Sequence, residues 1–364
     1  MDKKSMEALK TQSLAQVNTA VTQRVTYWDV AKAIAIICVV WGHCLQNMTA
    51  DSNYWHTDFI SRLIISFHMP LFMVISGYFA YNSLFRPIAS TLKKKGIQLI
   101  LPSISWYLIV SLLAMVFHRD FRAERFGDII TTLPYSYWFL KSLFACYLIT
   151  LIGAKLMQWH KWTIILYAVA IFCGGEILNY AGTISMLPFF LAGVIVHNYK
   201  DVLYNYHKSV TAVSALSFIV LFVMYDSSDY NMYLNPFTHS RGGYNTLLIR
   251  TLIGASGSIS ILVLIRCVSL KLQNAKIIKI LATTGTMTLG IYCIQVIIAE
   301  GLIKSSSVYL ERLLIGMRDN IQIFVYDFII TPTTAIATVL FAIALIKILK
   351  QHKYSRLILL GELK

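Results

Sequence analysis

The stretch DVAKAIAIICVVWGH, Asp29 to His43, sets a lysine, ten mostly apolar residues and a histidine in a row. The surrounding apolar run covers residues 28–47. As a helix it is long enough to cross a hydrocarbon core of about 30 Å. Carrying Lys32 and His43 into lipid is costly unless both face a bundle interior or a water-filled cavity. At a rise of about 1.5 Å per residue the two lie roughly 16 Å apart along the axis, and turns of about 100° per residue return them to within about 20° of one face. Asp29, Ile36 and Val40 share that face.

The rest of the chain repeats this apolar character. Of 364 residues, 57% are hydrophobic and only 13% charged, about half the charged share of a soluble domain; the mean hydropathy is +0.63. The pattern predicts an all-α, polytopic membrane protein with about ten transmembrane helices around a central cavity. The expected spans are 28–47, 59–81, 97–117, 137–158, 162–180, 184–199, 209–225, 246–270, 277–300 and 322–349. The ninth begins with the weakly apolar TTGTMT. Residues 1–26 read as a polar cytoplasmic tail, 27–349 as the transmembrane domain and 350–364 as a second cytoplasmic tail. No secretory signal precedes Tyr27, so the first span is expected to act as an uncleaved signal anchor.

A formal charge of +15 suggests nucleic acid in a soluble protein, but topology accounts for it here. With the amino terminus inside, basic residues such as Lys93–Lys95, Lys271, Lys276, Lys347 and Lys350 fall on the cytoplasmic side. Most acids, including Asp51, Asp58, Asp120 and Asp226, fall outside. Both termini are therefore expected in the cytoplasm, in a plasma or inner membrane, with no nucleic-acid partner. The six cysteines lie in apolar segments without metal-ligand spacing and read as small fillers, so no metal site is expected.

Each polar intrusion has two readings. Lys32 either snorkels to the interface, paired with Asp29 one turn away, or guards a cavity mouth. His43 is either a structural histidine bonded to a neighbouring helix or an acid–base group. In FHMPLFMVISGYF (Phe67–Phe79), Pro70 bends the span and Ser76-Gly77 permits close helix approach, while His68 is either a cavity residue or a packing one. In TLKKKGIQLILP (Thr91–Pro102) the three lysines are either positive-inside anchors or an anion site. Lys141 and Glu176, near the outer ends of their spans, are either acceptor-side groups or, for Lys141, an interfacial anchor beside Trp138 and, for Glu176, a partner of Lys141.

These stretches together resemble the acyltransferase-3 family, membrane proteins that O-acylate cell-surface carbohydrates. The basic residue, ten residues and histidine of the first span match its first signature at Lys32 and His43. FHMPLFMVISGYF resembles its second-span motif. KKKGIQLILP resembles a basic motif that usually has two arginines three apart; Lys95 and Gln98 stand at those positions. YWFLKSLF, PFFLAGVIVH and GTMTLGIYCIQ resemble later segments, the last often ending in His where this chain has Gln295. The resemblance implies acetyl-coenzyme A as cytoplasmic donor, bound by Lys32, Lys93, Lys94 and Lys95. It implies His43 as the catalytic residue. Beside these, the residues themselves offer a supporting cavity at Asp29, His68, Ser76 and Gln98 and a candidate acceptor side at Lys141 and Glu176. The implied acceptor is a hydroxyl of an envelope polysaccharide or lipid-linked sugar. A transporter using Lys32 and His43 as a relay is the main alternative; the inverted repeats that would favour it are not visible in the sequence.

Overall fold

The structure, a computed structural model, describes residues 27–48, 58–118, 133, 136–156, 183–199, 206–224, 244–303 and 319–363. Every regular element among them is helical. The opening stretch lies in α1 (Tyr27–Asn47). Asp58 caps α2 (Phe59–Leu84) by accepting from the Ser61 amide at 2.6 Å, which satisfies one of the orphan donors of the first turn. Pro87 then starts the amphipathic α3 (Ile88–Lys95). A π turn, Gly96–Ile100, joins it to α4 (Leu101–His118). The next elements are α5 (Trp138–Leu156), α6 (Thr183–Asn198), α7 (His207–Met224) and α8 (Tyr244–Lys271). After them come α9 (Lys276–Gly285), α10 (Thr288–Ile297) with a π turn at Ile298–Ile303, and α11 (Asp319–Val325). A further π turn, Tyr326–Ile330, leads into α12 (Thr331–Leu349), and α13 (Lys353–Leu360) closes the chain.

Among the described residues six helices are long and apolar enough to cross a membrane, or seven with the bent pair α9–α10 as one span. Two more, within α6 and α7, are apolar but shorter. The expected count of ten is thus not reproduced by length and composition; the expected span 162–180 lies outside the described residues. The TTGTMT stretch is where the ninth span breaks: α9 and α10 meet at 74° across Thr286 and Met287. Weakly apolar residues make this the cheapest place to interrupt a span.

The outer faces fit lipid. On α7, Val213, Leu216, Ile219 and Val223 are 60–77% exposed along one stripe. A surface this apolar is unfavourable in water and normal against acyl chains. By contrast α2 is central: 83% of its apolar window is buried, against 22% for the span Ile88–Leu113. It packs on α6, α8 and α5. A Cβ on Gly77 would strike the Phe190 backbone, and one on Gly193 would strike the Val74 and Tyr78 backbones. Small residues therefore let α2 and α6 cross at backbone distance. The packing role expected for Gly77 holds.

Candidate active site

At the end of α2 the chain turns through Arg86 and Pro87 into α3. That turn faces a basin of about 470 Å³ lined by Phe79, Ser83, Arg86, Lys94, Lys95 and Gln98, among others. Successive helical residues point about 100° apart, so three consecutive lysines cannot share one target. Lys94 and Lys95 face the basin; Lys93 is exposed and does not line it. The Lys95 ammonium also sits 5.1 Å from the Tyr147 ring centre. Three cations with no lining carboxylate among the described residues make an anion-attracting concavity.

Beyond the basin lies a narrow shaft of about 150 Å³. Lys32, Ile36 and Val39 of α1 form one wall, at helical spacing. Met69, Phe72, Ile75 and Ser76 of α2 form the second. Thr288, Leu289 and Tyr292 of α10 form the third, with Phe139, Leu140 and Leu143 of α5 completing it. Lys32 stands at the junction: its ammonium pairs with Asp29 at 2.6 Å and lies 5.9 Å from the ring centre of Phe79, which lines the basin. The lysine paired with Asp29 thus also lines the shaft.

His43 lies one turn past Val39 on the same stripe and is half-buried. His68, one turn past Phe72, is 6% exposed and close enough to His43 to interact with it electrostatically. The His68 Nδ1 lies 2.6 Å from the Ile64 carbonyl oxygen. A carbonyl only accepts, so Nδ1 carries the proton and Nε2 presents a lone pair when the ring is neutral. Among the described residues no side chain hydrogen-bonds the His43 ring. Its helix is fixed on either side of that point: Trp41 Nε1 donates to Thr331 Oγ1 at 2.9 Å, and the Tyr326 hydroxyl donates to Leu45 O at 2.9 Å.

Not every expected residue joins this site. Lys141 turns back on the chain ahead of α5, donating to the Leu133 carbonyl, to Ser136 O at 2.6 Å and to Ser136 Oγ at 3.1 Å. A lysine there satisfies the carbonyls that lead into the helix. Glu176 lies outside the described residues. Gln98 lines the basin and also a second cavity of about 400 Å³, which is bordered by Thr286, Lys350 and Glu362. Sequence reasoning missed Arg86 and Phe79; the visible signal was an Arg-Pro pair opening an amphipathic helix that ends in lysines. Tyr292 was missed as well, although Thr288, Tyr292 and Gln295 repeat at helical spacing.

A basic basin beside a narrow shaft, with two histidines past the far end, is an arrangement that a multi-span membrane acyltransferase could use, and the comparison with known families gives that class. The chain belongs to the acyltransferase-3 family, whose model, described as an acyltransferase domain, matches residues 25–349. The chain is also similar to the nodulation protein NolL of Sinorhizobium fredii (strain NBRC 101917 / NGR234), 33% identical over 149 residues. The NolL of Mesorhizobium japonicum (strain LMG 29417 / CECT 9101 / MAFF 303099) is 28% identical over 149 residues. Each match covers 40% of this chain and 40% of the relative. No solved structure matches the chain.

Proposed function

We propose that this protein moves an acetyl group from acetyl-coenzyme A to a hydroxyl of an envelope polysaccharide or a lipid-linked sugar. The observation that supports the proposal is the adjacency of the basin and the shaft, with Lys32 of the shaft 5.9 Å from the ring centre of Phe79 in the basin and His43 one turn beyond. In this reading the donor arrives from the cytoplasm, and both termini face that side of a plasma or inner membrane. Its phosphates meet Arg86, Lys94 and Lys95, and its pantetheine arm enters past Lys32. The apolar walls of Ile36, Val39, Phe72 and Tyr292 suit a flexible chain and exclude water.

The thioester then stands near His43, and the acceptor hydroxyl comes from the opposite side of the membrane. The hydroxyl oxygen attacks the carbonyl carbon while a ring nitrogen of neutral His43 takes the hydroxyl proton. The carbon–sulfur bond breaks and the proton passes to the departing thiolate, leaving an acetyl ester and free coenzyme A. A route in which the His43 ring first accepts the acetyl group uses the same placement.

Mass spectrometry of surface glycans tests this in cells with the intact gene, without it, and with His43→Ala. The acetyl mass increment should be present only with the intact gene. Equal acetylation in all three cell lines would overturn the assignment.

A further inference from the structure

Gln295 sits near the end of α10 and is 0% exposed. Neither its amide nitrogen nor its carbonyl oxygen has a hydrogen-bond partner among the described residues. Buried polar groups in native proteins are almost always satisfied, and leaving two atoms of one amide unmet is a standing cost. A leucine would fill the same space without it.

Helical geometry shows where the amide is placed. Seven residues bring Gln295 to within about 20° of Thr288, and it lies roughly 4.5 Å beyond Tyr292 along the axis; both of those residues line the shaft. The far flank of α10, at Gly290, packs on Ile346 and Leu360, about 140° away from Gln295. Gln295 therefore continues the shaft-facing stripe. On the other two walls His43 continues the stripe of Lys32 and Val39, and His68 that of Phe72 and Ile75. Each of the three helices thus carries a polar side chain past its shaft-lining residues: the His43 imidazole on α1, the His68 imidazole on α2 and the Gln295 carboxamide on α10.

Of these three, the carboxamide is the neutral donor. His68 spends its Nδ1 proton on the Ile64 carbonyl and offers only a lone pair. His43, acting as a base, must present a lone pair too. Building on the donor reading above, we propose that Gln295 recognises the acyl group itself. Its Nε2–H donates to the thioester carbonyl oxygen, and its Oε1 is left to accept from the incoming sugar. A fixed neutral donor at that oxygen holds the reacting carbon beside His43 and strengthens its bond as negative charge develops there.

Calorimetric titration of the full chain in nanodiscs with acetyl-coenzyme A, and separately with coenzyme A, tests this. The wild type should prefer the acetylated form. Gln295→Leu should bind acetyl-coenzyme A about five- to tenfold more weakly while coenzyme A binding is unchanged. Without ligand, that variant should melt at or above the wild-type temperature, because an unpaired amide has gone. Gln295→Met provides the same readings should the leucine variant not fold. A wild-type preference that either variant retains, or a wild type that binds both forms equally, overturns the role of Gln295 alone. A wild type that binds neither compound overturns the donor reading and this proposal with it.

Discussion

On one side of α2, Gly77 meets the α6 backbone at Phe190, and Gly193 of α6 meets α2 at Val74 and Tyr78. On the other side Met69, Phe72, Ile75 and Ser76 face α1 and α10 across an open shaft of about 150 Å³. Both sides are built from the same apolar vocabulary. Lipid is as apolar as leucine, so helices in a bilayer gain little from hiding such side chains from it. Side-chain size decides instead: glycines let backbones touch, and large residues at the facing positions hold helices apart. One face of α2 secures the bundle and the other keeps a passage open within it.

The strongest way to break this comparison is to spoil the close face. Gly193→Leu should cost on the order of 5 kcal/mol or more, because the added side chain meets backbone that cannot give way. Little monodisperse protein should then be recovered in size-exclusion chromatography, and a normal yield would refute the tight crossing. Next comes blocking the open face. Ser76→Leu fills part of the shaft, so the fold should survive with a melting temperature near wild type, while acetyl transfer falls at least tenfold. Unimpaired transfer in that variant would remove the shaft from the reaction path. The smallest effect belongs to the basin. Arg86 is exposed and its charge is screened, so Arg86→Gln should raise the donor KM about fivefold, equivalent to ~1 kcal/mol. The difference from wild type should shrink as salt is added; a constant difference would assign Arg86 to something other than charge.

Much of the first two spans was legible because their intrusions are periodic. Lys32 and His43 share a stripe at a spacing that a helix enforces, and Ser76-Gly77 announced a close approach. The same signal did not reveal which face each member of that pair takes: Gly77 packs on α6 while Ser76 lines the shaft. Three lysines in a row carried a charge message but no direction, and only the placement of α3 separates Lys94 and Lys95 from Lys93. Arg86 was hidden because a lone arginine in a turn has no period. Gln295 stood out in the sequence only as a departure from a family pattern, since burial without a partner is a property of packing. The bend between α9 and α10 left a compositional trace in TTGTMT, but its 74° angle depends on tertiary contacts such as Gly285 against the Asp29 backbone.

The final helix has a practical use. Trp106 Nε1 donates to Leu359 O at 2.8 Å, and the Lys350–Glu362 pair closes at 2.6 Å. Gly361, at φ 62°, leaves no room for a Cβ beside the Gln98 carbonyl. This clasp holds Leu363 at the cavity that Gln98 shares with the basin. A cysteine introduced there and tagged with an environment-sensitive fluorophore would give an optical reporter of whether the proposed donor enters the basin, and it leaves every basin cation intact.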